Sequence, residues 1–167
     1  MLRRTSFLLA GGALLPSLIG AAQAQTSTPA PGDLNMMALA ASTFSLQGSR
    51  VAERKATMAP VKQFAMLEAE EQEAVMAAMR LAGLNIPAQV PLTADKARMA
   101  QELEAASGAS FDQAYLRSQK MGHEELLAIH QRIAQGGSSP GERIIGTLSV
   151  PAIKSHLAMI EMIMQQR

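Results

Sequence analysis

The strongest helical signal in the chain lies at residues 110–135, SFDQAYLRSQKMGHEELLAIHQRIAQ. Ser110 and Gln113 have the spacing of a capping box, which is typical of the start of a helix. Gly136 and Gly137 follow the stretch, and glycine is the common stop signal after a helix. Between these two signals, apolar residues recur at the three- and four-residue steps of a helix. The stretch therefore predicts one long helix.

Four other segments show the same periodicity, three of them long and one short. Their predicted bounds are residues 33–57, 60–82, 93–106 and 139–165. Asp33, Thr93 and Ser139 are residues that cap helix starts well, and Gly83 is a stop signal after the second helix. Pro151 removes one backbone hydrogen bond, so we expect the last helix to bend there.

The composition supports an all-helical fold. Aromatic residues make up only 3% of the chain and tryptophan is absent, which disfavours a β-sandwich. Long helices joined by short loops pack antiparallel, because each must cover its apolar stripe. We therefore predict an all-α fold, an up-down-up-down four-helix bundle with one extra short helix. That short helix is expected to lie across the bundle between the second and third long helices.

The beginning of the chain has the three parts of a secretory signal peptide. Arg3 and Arg4 are followed by an apolar run at 7–19 and by the small-residue pattern Ala22-Gln23-Ala24. We expect cleavage after Ala24, with an uncleaved anchor as the alternative. Arg3-Arg4 followed by Phe7-Leu8 also suggest a twin-arginine signal. The spacing between these two pairs differs by one residue from the usual pattern, so we expect export by the general secretory route.

These features predict three parts in the chain: a signal peptide at 1–24, a flexible linker at 25–32 and a helical domain at 33–167. The mature protein is expected in the periplasm, with no stable membrane insertion after the signal is removed. With 15 basic and 14 acidic residues the chain is nearly neutral, which argues against nucleic acid as a partner. The partner is unknown, and another envelope protein or a second copy of the chain are the candidates.

Several short runs match the pattern of a known exported family. They are Lys55-Ala56, Val61-Lys62-Gln63-Phe64-Ala65, Phe111-Asp112-Gln113-Ala114-Tyr115, Met121-Gly122-His123-Glu124, Leu148-Ser149-Val150-Pro151 and Lys154-Ser155-His156-Leu157. On these runs the chain resembles the domain-of-unknown-function family four-one-four-two, whose members are often labelled outer-membrane or periplasmic proteins. The resemblance covers nearly all of the mature chain. It implies a ferritin-like bundle and no established reaction.

The chain departs from that family pattern in two places. Members usually carry an Asp-His pair in the second helix, where this chain has Glu71-Gln72. They also carry a glutamate in the first helix, where Ser45 or its neighbours stand. If the polar positions of the family bind metal, this chain has lost part of the set.

Histidines are the strongest candidates for chemistry. His123 and His130 are seven residues apart, or roughly 10 Å along one helix, so they cannot share one ion. A metal site would instead need His123 and His156 from facing helices. A carboxylate would complete it, from among Glu68, Glu71 and Glu124. The alternative is that both histidines make polar contacts inside the bundle. The chain has no Glu-x-x-His motif, which argues against a di-iron oxidase.

Other candidate residues have structural interpretations. Met159, Met162 and Met164 follow His156 and could hold Cu(I) with it, but methionine more often fills gaps in a core. The acidic runs at 68–73 and 102–104 are interpreted as solvated faces. In the run from Phe111 to Tyr115, Asp112 is expected to favour the start of its own helix and Tyr115 to pack its ring.

The function is therefore predicted in general terms only. The chain contains no cysteine, no phosphate-binding glycine loop and no H-E-x-x-H motif. We expect a protein that is not an enzyme, carries no cofactor, and has a structural, binding or envelope-stress role in the periplasm. The alternative is a metal-binding protein or a metal-dependent oxidase with a site at His123 and His156.

Overall fold

The computed structural model describes residues 33–166, which form five α-helices joined by short connections. The helices are α1 at Leu34–Lys55, α2 at Ala59–Leu81, α3 at Ala94–Ala105, α4 at Gly108–Gly136 and α5 at Pro140–Gln165. The predicted all-α class, with four long helices and one short one, is confirmed. The predicted signal peptide at 1–24 and linker at 25–32 lie outside the described residues.

The capping residues define most of the helix ends as predicted. Side-chain oxygens of Asp33, Thr93 and Ser139 each accept a hydrogen bond from a backbone N–H in the first turn that follows. Gly83 comes just after α2 with a φ of 79°, a left-handed conformation that glycine adopts without strain. Local chemistry therefore fixes the starts of α1, α3 and α5 and the end of α2 within a few residues.

The start of α4 differs from the prediction. The helix begins at Gly108, after Ser107, so Ser110 lies inside its first turn. The Ser110 hydroxyl donates to the Ser107 carbonyl at 2.8 Å and caps no backbone N–H. Gly108 has a φ of 57°, and this left-handed residue lets the helix start two residues earlier than the serine signal indicates.

The four long helices form a closed ring in the order α1, α2, α5, α4. Short connections reverse the chain between α1 and α2 and between α4 and α5, so the helices of each pair are antiparallel. Hydrogen bonds from Ser45 to Gln119 and between Ser49 and Tyr115 show the opposite directions of α1 and α4. Consequently α2 and α4 run the same way, and the predicted up-down-up-down order along the chain is wrong. The reason is that the connection at 82–107 carries the chain back along the bundle before α4 begins.

The short helix α3 lies within this connection. It packs on α1 and α4, rather than across the bundle between α2 and α4 as predicted. Leu103 is its buried anchor, and the Lys96 ammonium is 2.6 Å from a carboxylate oxygen of Glu125 on α4. These contacts hold the connection at 82–107 against α1 and α4.

The helices α4 and α5 are in close backbone contact at Gly146. A β-carbon placed there would lie 2.6 Å from the Ala134 nitrogen and 3.0 Å from the His130 oxygen, both backbone atoms. Only glycine fits at this crossing. The helix α5 continues through Pro151, and the predicted bend there stays a prediction. Within residues 33–166, no helix has the length and apolar character needed to cross a bilayer.

Candidate metal centre

A group of buried polar side chains lies within the apolar core of the ring, and every long helix contributes to it. We call it the polar cluster; its members are Ser45, Glu68, Gln72, Gln119, His123 and His156. Glu68 and Gln72 are four residues apart on α2, as are Gln119 and His123 on α4. Residues at this spacing share one helix face, so each pair enters the core together.

Glu68 is the centre of the cluster, and its side chain is fully buried. Its Oε2 lies 2.8 Å from His156 Nδ1 and 3.2 Å from His123 Nε2. Its Oε1 accepts hydrogen bonds from Ser45 Oγ at 2.6 Å and from Gln72 Nε2 at 2.9 Å. Burial acts to raise the pKa of Glu68, but hydrogen bonds from the two histidines outweigh it and hold the pKa well below its usual range.

The burial of Glu68 corrects one prediction. The acidic run at 68–73 was interpreted as a solvated face, and this holds for Glu70 and Glu73, which are exposed. Glu68 instead follows Phe64 by four residues on the stripe of α2 that faces the core. Its helical position therefore decides its environment, although its neighbours in the sequence face solvent.

His123 is fully buried and presents one nitrogen to Glu68. Its Nδ1 lies 2.8 Å from the backbone carbonyl oxygen of Gln119. Since a carbonyl oxygen can only accept, Nδ1 carries a hydrogen, and Nε2 is the ring nitrogen that could bind an ion. Nε2 is directed at Glu68 Oε2 and at His156 Nδ1, each 3.2 Å away.

His156 lies between two carboxylates of α2. Its Nδ1 faces Glu68, and its Nε2 is 3.2 Å from Glu71 Oε2. Burial lowers the pKa of His156, but the hydrogen bonds to Glu68 and Glu71 are stronger effects together and raise it to about 10. When no ion is bound, a protonated His156 therefore holds the cluster together.

Three of these atoms have the arrangement of ligands around one metal ion. His123 Nε2, His156 Nδ1 and Glu68 Oε2, which we call the ligand triad, are 2.8–3.2 Å apart. Two ligands bound at about 2.0–2.1 Å in a tetrahedral site lie about 3.3 Å from each other. An ion thus needs the three atoms to separate by only a few tenths of an ångström. Among residues 33–166, these three form a group of His and acidic residues able to hold a metal.

The structure brings together the two histidines that were predicted as metal ligands. Of the three candidate carboxylates, Glu68 joins them directly and Glu71 contacts the outer side of His156. Glu124 does neither, because it pairs with Lys120 on the surface. Whether a metal binds there stays a prediction.

His130 lies apart from the cluster on the same helix, as predicted. Only 3% of His130 is exposed, and this burial lowers its pKa to about 4. Its Nδ1 has no hydrogen-bond partner among the residues that the structure describes. His130 is therefore a neutral histidine of the core.

The motif at Phe111 to Tyr115 is structural. The Asp112 carboxylate accepts hydrogen bonds from the backbone N–H groups of Thr57 and Met58, and so it holds the turn between α1 and α2 from a third helix. This corrects the expectation that it serves its own helix. Tyr115 packs its ring in the core, as expected, and its hydroxyl lies 2.8 Å from Ser49 Oγ.

The methionines after His156 do not share one environment. Met159 and Met164 pack against the apolar core, as expected for gap-filling side chains, whereas Met162 is 56% exposed. Sequence reasoning did not assign Ser45, Gln72 or Gln119 to the site, and it noted the first two only as departures from the family pattern. The available signal was spacing alone, because Gln119 precedes His123 by one helical turn on the same face.

Comparison with known families adds one finding. The family model described as Domain of unknown function (DUF4142) matches residues 17–163, a span that includes the whole polar cluster. No curated protein and no solved structure matches the chain. Because the matched span covers most of the 167 residues, the chain belongs to this family of domains of unknown function, and the resemblance drawn from its motifs is confirmed.

Proposed function

We propose that this protein is an exported, non-enzymatic metal-binding bundle that holds one divalent transition-metal ion among α2, α4 and α5. The ligands are the three atoms of the ligand triad. The observation that carries the proposal is their separation of 2.8–3.2 Å in a buried site. This is close to the spacing that one tetrahedral ion requires.

The groups around the triad support this proposal. A histidine that binds a metal usually donates its other ring N–H to a backbone carbonyl or a carboxylate. His123 faces the Gln119 carbonyl with Nδ1, and His156 faces the Glu71 carboxylate with Nε2. Both rings are therefore oriented by the kinds of group that orient metal ligands.

The hydrogen-bond balance of the cluster also favours a cation. Ser45 has one hydroxyl hydrogen, yet its Oγ lies 2.6 Å from both Glu68 Oε1 and Gln119 Oε1. Gln72 Oε1 is buried and has no partner among the described residues. Buried oxygens normally find donors, and here lone pairs outnumber the hydrogens available to them. A bound ion would supply positive charge where the cluster has an excess of acceptors.

The donor set indicates which ions fit. Two imidazole nitrogens and one carboxylate oxygen suit first-row transition metals such as Zn²⁺. Calcium and magnesium prefer all-oxygen sites, and the chain has no cysteine thiolate to select a softer ion. We therefore propose that the site binds Zn²⁺ or a divalent metal that prefers the same ligands.

A binding role is favoured over catalysis because the triad is enclosed. The side chains of Glu68 and His123 are 0% exposed and that of His156 is 12% exposed. A substrate has little access to an ion held there. The signal-peptide pattern at 1–24 supports export to the periplasm, where such a bundle would bind metal from its surroundings.

Metal analysis of the full chain, purified without an affinity tag, tests the proposal. We expect one Zn²⁺ per chain after incubation with zinc and removal of unbound ion, measured by elemental mass spectrometry. The double variant His123→Ala, His156→Ala should lose it. His130→Ala removes a buried histidine of α4 outside the cluster and should keep it. A folded wild-type protein without stoichiometric metal, or a double variant that binds as well, would overturn the proposal.

A further inference from the structure

We infer that Glu71 is a positioning residue of this centre: its carboxylate accepts the Nε2–H of His156 and so directs Nδ1 toward the ion. This inference rests on the proposed function and adds a fourth residue to it. Glu71 does not bind the ion itself, because the imidazole ring lies between its carboxylate and the ligand triad.

The first step is the geometry of His156. Glu68 and Glu71 are three residues apart on α2 and therefore lie on the same side of the helix. A Glu68 oxygen lies 2.8 Å from Nδ1 and a Glu71 oxygen lies 3.2 Å from Nε2, so each ring nitrogen faces a carboxylate. If Glu71 accepts the Nε2 hydrogen, Nδ1 is the nitrogen left to bind metal.

The second step is the contrast with His123. Its outer nitrogen is fixed by the Gln119 carbonyl, a backbone group one turn earlier on its own helix. No side-chain substitution removes that acceptor. The outer nitrogen of His156 depends on a side chain from a different helix, and Glu71 is the side chain that contacts it. His156 is therefore the ligand whose orientation can be lost by a single change.

The third step is the position of Glu71 at the edge of the core. Its side chain is 35% exposed, whereas those of Glu68 and His123 are fully buried. The helices α2 and α5 also share the smallest of the four interfaces around the ring. The Glu71 contact with His156 thus spans the least packed side of the bundle, and its removal leaves the apolar core in place.

Titration of the full chain with Co²⁺ tests this role, because visible absorption reports both binding and ligand geometry. We expect Glu71→Gln to bind Co²⁺ about 10 to 100 times more weakly than wild type, with an altered spectrum. Glu71→Ala should bind at least as weakly, because it removes the acceptor entirely. The matched control is Glu70→Gln, which makes the same charge change at an exposed neighbouring position and should leave affinity and spectrum unchanged.

A second comparison separates positioning from general stability. In a His156→Gln background, Glu71→Gln should cause no further loss of Co²⁺ affinity, because the ring that it orients is gone. An equal further loss there, or a Glu71→Gln variant with the affinity and spectrum of wild type, would overturn the inference while leaving the centre itself intact. Failure of the wild-type protein to bind Co²⁺ or Zn²⁺ at all would instead overturn the proposed function.

Discussion

Two buried histidines of α4 differ because only one of them has partners for both ring nitrogens. His123 faces a backbone carbonyl on one side and the Glu68 carboxylate on the other. His130 has an unpartnered Nδ1 within the described part of the chain, and burial lowers its pKa to about 4. His123 therefore belongs to a charged site, whereas His130 is a neutral core residue that lowers the stability of the fold at low pH.

We expect His130 to make the protein less stable as the pH falls from about 6.5 to about 4. In this window the unfolded chain binds a proton at His130 and the folded chain does not, so the free energy of unfolding decreases as the pH is lowered. The loss can reach about 3 kcal/mol over the full window. Urea unfolding at a series of pH values would measure it in wild type and in His130→Leu. The variant should show a shallower decrease, and identical pH profiles for the two proteins would contradict this assignment.

The candidate residues could be predicted only in part. A histidine is rare enough in this chain that His123 and His156 could be singled out and paired across facing helices. Ser45, Gln72 and Gln119 could not be assigned to the site, because serine and glutamine occur at many exposed helix positions. Both departures from the family pattern, at Ser45 and Gln72, fall on side chains that bond Glu68. Their role emerged only once the helices were placed against each other.

At the scale of the elements, helix ends followed local chemistry where a side chain accepts a nearby N–H. This made α1, α3 and α5 predictable from Asp33, Thr93 and Ser139. The start of α4 was not predictable in the same way, because the backbone conformation of Gly108 sets it. The support of the turn before α2 was also hidden, since the acceptor for its N–H groups is Asp112 on another helix. Hydrogen bonds from residues distant in the sequence leave no local pattern.

The close crossing of α4 and α5 gives a prediction for Gly146. Replacement by alanine places a β-carbon 2.6 Å from the Ala134 nitrogen, so the two helices must separate. We expect Gly146→Ala to lower the free energy of unfolding by about 1–3 kcal/mol. Gly136→Ala is the control, because a β-carbon there meets nothing within 4 Å, and it should be neutral or stabilise by up to about 1 kcal/mol. Chemical unfolding curves of the two variants would decide, and equal stability would show that the crossing tolerates a side chain.

At the scale of the whole molecule, helix content was easier to predict than helix direction. The periodicity of the long segments depends only on local residues, and it indicated four long helices and a short one. The direction of α4 depends on how far the connection at 82–107 travels. Its helix α3 alone extends the chain by roughly 18 Å, which is long enough to return along the bundle. A sequence pattern contains no signal that distinguishes this path from a compact loop.

Metal binding should stabilise the folded protein as a whole, since the ligand triad is assembled from three helices. Zinc at about 100 times its dissociation constant is expected to add about 2.7 kcal/mol to the free energy of unfolding. Thermal and urea unfolding with and without zinc would measure this gain. The double variant His123→Ala, His156→Ala provides the control and should show no gain. A zinc-dependent increase of equal size in that variant would indicate binding elsewhere on the protein.

The distribution of the ligands has a further consequence for how the molecule is built. Glu68 belongs to the antiparallel pair of α1 and α2, whereas both histidines belong to the pair of α4 and α5. These two helical hairpins are covalently joined through one crossover segment, at 82–107. An ion shared by Glu68 and the histidines would act as a cross-link between the two halves of the chain. Its loss would remove that cross-link and leave each hairpin internally complete.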